Sequence, residues 1–229
     1  MTEKVWLAAD PKPLAEWLQT DSESEQHGLS RKYRLLNCAC CRHLAPWFGD
    51  DRLTDCVVRA ERFADGALTE RTFGKWGESA LTISRRKSAH PGPHLRACEA
   101  VCGLFSYRFV TYPTQWHAWR ALCSDRAIFG ESFAAESEPT LRDLIRDIFG
   151  NPFRPVSFDP AWRTDTAVSL AKGMYESQDF SAMPILADAL QDAGCENTDV
   201  LDHCRKPGSH VRGCWAVDFV LGKGCAPLN

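Results

Sequence analysis

Apolar residues along this 229-residue chain recur at spacings of three and four in almost every segment, and alternation at two is nearly absent. That pattern limits the fold more than any other feature, because without one-sided strands no sheet can bury a dry face. It predicts an all-α protein, an irregular multi-helix bundle. The segment RKYRLLNCACCRHLAPWF carries two stripes: Tyr33, Leu36, Cys40, Leu44 and Trp47, and then Cys38, Cys41, Ala45 and Phe48. A helix apolar on two faces belongs at the centre of a bundle. Pro46 and Gly49 mark its end.

Similar stripes place further helices on both sides of this one. A short helix at 13–18 precedes a Ser/Glu/Gln-rich loop at 20–29. Leu53, Cys56, Val57, Ala60, Phe63 and Ala64 share a face that Gly66 closes, and Thr69 caps a helix carrying Phe73, Trp76, Ala80 and Ile83. The basic run Arg85-Arg86-Lys87 ends that helix, where cations suit the dipole. Leu95, Cys98, Val101, Cys102 and Phe105 follow Pro93, and Trp116, Trp119 and Cys123 follow Pro113. Trp116 and Trp119, beside His117 and Arg120, have the composition of a partner anchor, although core packing is the commoner fate of such rings.

Residues 128–138 read as the loosest stretch. They divide an N-terminal helical subdomain, 1–135, from a C-terminal one, 136–229, with a single continuous domain as the other arrangement. In the second part Leu141, Leu144, Ile145 and Ile148 form a stripe that Gly150 stops. Four prolines between 151 and 162 then forbid a regular helix, so NPFRPVSFDPAW is an extended strap whose Phe153, Phe158 and Trp162 must pack on its neighbours. Helices are expected at 166–175, 182–193, 197–205 and 209–222.

A formal charge of −3 gives no basic surplus, which argues against a nucleic-acid binder. No run approaches the roughly 18 apolar residues of a membrane span. The first residues show no basic-then-apolar leader, so the expected compartment is cytoplasmic. Eleven cysteines in a reducing compartment are buried thiols, metal ligands or reactive thiols, with burial the default.

The pieces RDIFGNPFRP, DPAW, LADALQDAGC and HCRKPGSHVRGCWAVDFVLGK, with CACCRH and VVRAERFADG earlier, carry a resemblance. Together they resemble an uncharacterised bacterial family abundant in planctomycetes, over most of the chain and least from about Gly74 to Glu138. The resemblance implies no activity, since none is established for that family. It also implies that Cys204 is a core residue, because the corresponding position is often Leu, and that the CACC run varies.

Signatures of common enzyme classes are missing: there is no HExxH, phosphate-binding Gly-Lys loop, GxSxG, paired CxxC knuckle or PCxxC element. Two constellations remain. His210, Cys214 and Asp218 recur every four residues and would share a helix face, with Cys195 and His203 close before them. Thiolate and imidazole donors suit zinc, although the spacing matches no standard zinc module. The blander reading puts Cys195 and Cys214 in the core, His210 in a capping turn, and Asp218 against an arginine, with Arg154 or Arg163 of the strap region the first choices.

In the second constellation, Arg34 and Arg42 flank Cys38 and would lower its thiol pKa, leaving Cys41 to resolve an oxidised Cys38. Cys38, Cys41, Cys98, Cys102 and Cys123 could instead line a Cu(I) site, or simply fill the core. The sequence therefore favours a helical binding or interaction module with an unknown protein partner, no cofactor and no catalysis. A zinc or copper protein using the C-terminal cluster is the alternative, and a thiol redox protein using Cys38 and Cys41 the third.

Overall fold

The computed structural model of the chain describes residues 1–10, 13–14, 28–87, 92–105 and 126–223, and every regular element among them is helical. In chain order these are α1 (Glu3–Ala8), α2 (Gly28–His43), α3 (Asp51–Ala64), α4 (Glu70–Lys87), α5 (Pro93–Gly103), α6 (Arg126–Phe129), α7 (Glu131–Phe149), α8 (Asp165–Ser177), α9 (Met183–Asp192), α10 (Thr198–Arg205) and α11 (Trp215–Val220). Short 3-10 turns stand at Ala45–Trp47 and Pro160–Trp162. The all-α expectation holds. Among the described residues no helix is long and apolar enough to cross a membrane. Most of the expected helix at 13–18 and loop at 20–29, and all of the segment with Trp116, His117, Trp119, Arg120 and Cys123, lie outside the described residues.

Two compact units form, one from Ala8–Arg142 and one from Met1–Leu7 with Asp143–Asn229. The division falls inside α7, whereas 128–138 was expected to be the loose boundary. That stretch is largely helical, and α7 runs straight through Pro139. Proline removes one backbone donor there, but the buried stripe of Ser137, Leu141, Leu144, Ile145 and Ile148 continues on both sides of it. Packing outweighs the one missing hydrogen bond.

In the unit Ala8–Arg142, α2 is central, as its two stripes require, and packs on α3 and α5. Its polar residues are drawn in too. Asn37 donates to the Tyr33 carbonyl at 2.9 Å, and the Arg34 guanidinium lies over the Phe63 and Phe73 rings while donating to the Leu104 carbonyl. Arg42 grips Glu61 through two hydrogen bonds of 2.7 and 2.9 Å. Buried charges survive here because each is matched.

In the other unit, Ala167, Ala171, Met174, Leu186, Leu190, Leu201 and Val217 belong to one core built from α8 to α11. Caps fix the helix starts: Thr164 accepts from the Ala167 N–H, and Asn197 from the Val200 N–H. Residues 151–162 form no α-helix, as expected, but they turn at 152–154, run without regular structure to Asp159 and end in the 3-10 turn Pro160–Trp162. Val156 is buried, while Phe158 and Trp162 are only half-buried against the core. Arg163 donates twice to the Phe219 carbonyl, at 3.1 and 2.8 Å, tying the strap's end to α11. Arg154 pairs with Glu3 and Asp199. The expected helix at 209–222 is shorter than its periodicity suggested. It begins at Trp215, because Gly213 takes a φ of 98° that ends any helical path through the preceding loop.

Candidate metal centre

The last turn of α7 carries an acid, Asp147, where the helix dipole disfavours negative charge. It is also buried, with its side chain 4% exposed. Such a group needs strong partners, and the loop after α10 supplies them. Val211 donates its N–H to Asp147 Oδ2 at 2.9 Å, and His210 Nδ1 stands 2.6 Å from Oδ1. His203, in the last turn of α10, places Nε2 3.3 Å from the same oxygen. Cys214 closes the cluster from the residue preceding α11, its sulfur 3.2 Å from His203 Nε2 and 3.9 Å from His210 Nδ1.

The Gly213 turn aims these groups inward. Cys214 donates its N–H to the Val211 carbonyl at 2.9 Å and accepts from the Asp218 N–H at 2.8 Å. The loop is thus stitched at its end while His210 and Cys214 face Asp147.

Burial pushes the Asp147 carboxyl up, but hydrogen bonds from His203 and His210, and their charge, outweigh it and hold the group below the usual carboxylate range. The Cys214 thiol moves the other way. Burial, and then the Asp147 charge, raise it well above the ordinary thiol range. With no exposed surface and a raised pKa, Cys214 is poorly placed to act as a free nucleophile.

Nor is this a thiol–imidazole–carboxylate relay. In such a relay the imidazole uses opposite nitrogens for its two partners. Here His203 turns the same nitrogen toward both the thiol and the carboxylate. One donor atom from each of Asp147, His203, His210 and Cys214 lies within 4.8 Å of every other. Tetrahedral zinc with ordinary bond lengths separates its donors by about 3.3 Å for N···O and about 3.6 Å for N···S. The His203 separations of 3.3 and 3.2 Å, and the 3.9 Å between Cys214 and His210, fall near those values. The 2.6 Å approach of His210 to Asp147 is a hydrogen bond that an ion would have to replace. Among the described residues His210 Nε2 is buried without a hydrogen-bond partner, so its polar contacts run through Nδ1, while the ring meets His203 edge-on at 5.0 Å.

Of the five residues singled out in the sequence, the structure brings together His203, His210 and Cys214, adds Asp147, and leaves Cys195 and Asp218 outside the group. Cys195 is buried in the core with Cys204. Asp218 lies buried on α11, but the common face proposed for it with His210 and Cys214 requires a helix that starts only at Trp215. Asp147 was missed because it sits 56 residues before His203. Its signal was an acid in the final turn of a helix, beside the stripe and just before the Gly150 stop.

The second constellation does not behave as its flanking arginines suggested. Cys38 and Cys41 are fully buried, and burial pushes both thiols well up, with Glu61 adding to the rise at Cys38. Arg42 is already committed to Glu61. Desolvation therefore wins over the neighbouring positive charge. Cys98 is buried and Cys102 partly so, and the thiols of this unit form no metal-sized group among the described residues.

No protein-family model, curated protein or solved structure matches this chain.

Proposed function

We propose that the chain is a non-catalytic helical module whose unit of Met1–Leu7 and Asp143–Asn229 is stabilised by a structural divalent ion, zinc by its donor set. The observation that carries this reading is the convergence of one carboxylate oxygen, two imidazole nitrogens and one thiol within 4.8 Å. Asp147 is already a carboxylate and the Cys214 thiol would lose its proton on binding, so two negative charges balance a doubly charged ion. A single sulfur among oxygen and nitrogen donors suits zinc better than Cu(I), which favours softer sets. Four protein donors leave no open position for substrate, which supports a structural rather than catalytic role. Zinc and reduced thiols both fit a reducing compartment, in keeping with the cytoplasmic expectation.

Asp147 lies in RDIFGNPFRP, and His203, His210 and Cys214 lie in HCRKPGSHVRGCWAVDFVLGK. All four candidate donors thus fall in two of the pieces that carry the resemblance.

Metal analysis of the purified chain tests the proposal. Protein refolded with zinc and dialysed should hold about one equivalent. Cobalt in its place should give the visible absorption of a tetrahedral thiolate site. Asp147→Asn and Cys214→Ser should lose both signals, while Cys195→Ala should keep them. Substoichiometric metal, together with melting that ignores zinc and chelator alike, would remove the ion from the account.

A further inference from the structure

A groove of about 770 Å³ follows α8 from Asp165 to Ser177 and continues over Ser181 and Ala182 at the start of α9. Over its 13 residues α8 is about 20 Å long, so the groove has the reach of a short helix rather than of a compact small molecule.

Three features describe what could lie in it. Ser169, Gly173 and Ser177 recur every fourth residue along its wall, so they form a low ridge on one face of α8. A Cβ at Gly173 would meet nothing within 4 Å, so another backbone can come close there. Leu170 and Ala182 supply apolar surface over the buried Met174, and Ile185, one turn beyond Ala182, is 58% exposed. Both charged residues of the lining, Asp165 and Asp179, are acids, one at the start of α8 and one just past its end. The Ser181 N–H donates to Asp179 Oδ1 at 3.0 Å, which keeps that carboxylate charged and fixed.

We propose that this groove docks a basic amphipathic helix of a protein partner, which lays short apolar side chains over Ser169, Gly173 and Ser177 and sets Lys or Arg against Asp165 and Asp179. Charge complementarity decides the occupant. A second copy of this chain, docked groove to groove about a two-fold axis, would bring acidic ends toward acidic ends. A helix basic at both ends meets the opposite charge at each and finds an apolar floor between them.

A labelled helical peptide of about 14 residues, with an Ala/Leu stripe and Lys flanks, spans the groove and serves as the probe. Fluorescence anisotropy with the full chain should show saturable binding. A twin peptide with Glu for Lys should bind at least about tenfold more weakly, and the double variant Asp165→Asn/Asp179→Asn, which removes attraction without adding repulsion, should weaken the basic peptide by a smaller factor of about three. Gly173→Leu fills the ridge in open space, so its melting should match or exceed that of the parent while peptide binding disappears. The proposal is overturned if no saturable binding occurs, if the two peptides bind equally, or if Gly173→Leu binds as the parent does. Self-association that Gly173→Leu abolishes would overturn it in favour of a second copy as occupant.

Discussion

Cysteine shows how burial overrides neighbourhood at the scale of the single residue. Cys38 has Arg34 and Arg42 one helical turn away on either side, yet its thiol is pushed up, because desolvation exceeds their attraction and Glu61 takes up Arg42. The same force raises Cys56 and Cys204 to about 12 and Cys102 to about 11. At pH 8 in native buffer, thiol reagents should therefore label these three, and Cys38 and Cys41, far more slowly than in denaturant, and peptide mapping after quenching reads this directly. Rapid native labelling of Cys38 would restore the redox reading. The linkage has a definite sign. A thiol pKa raised by folding contributes stability that is complete below the unfolded value and is lost as pH rises toward the folded one. Melting temperature should thus fall progressively on the alkaline side, beginning near pH 9.

At the scale of the element, the Asp147 cluster depends on how α7 ends. Gly150 adopts a φ of 70°, and a Cβ there would stand 3.3 Å from the Trp215 ring. Gly150→Ala meets both penalties and should destabilise by about 2 kcal/mol, measured by denaturant melts. A neutral result would mean that Trp215 gives way freely. The strap is held more lightly than its aromatic content suggested. Full burial of Trp162 would make its truncation cost about 3–5 kcal/mol. Its ring is only half-buried, packed edge-on to Phe158 at 5.2 Å, so Trp162→Ala should cost about 2 kcal/mol. A loss below about 0.5 kcal/mol would make this end of the strap a peripheral arm.

For the whole molecule, the proposed metal centre lies within one unit and so predicts a regional effect. All four donors lie in the unit of Met1–Leu7 and Asp143–Asn229. An ion that binds only the folded form stabilises by about 2.7 kcal/mol at a hundredfold excess over its dissociation constant. Hydrogen exchange should therefore slow with zinc in peptides from α10, α11 and the loop between them. Peptides from α2 to α5 should exchange as before. Uniform protection across the chain would place the effect elsewhere, and none at all would argue against a bound ion.

The sequence by itself determined the helical class, because the three-and-four spacing of apolar residues is a local property that tertiary contacts only reinforce. It determined the central position of α2, whose two stripes admit no solvent face, and the strap, whose prolines exclude a regular α-helix whatever lies around them. His203, His210 and Cys214 were also legible, because they fall within twelve residues of one another. Only the tertiary structure decided the rest. Pro139 could be spanned because the buried stripe of α7 outweighs one lost hydrogen bond, a balance that depends on what packs there. The fourth member of the cluster, Asp147, came from a distant helix end, since convergence in space has no period along the chain. Cys195 and Asp218 were excluded for the matching reason: nearness in sequence becomes a shared direction only if the backbone between is helical, and the Gly213 turn ensures that it is not.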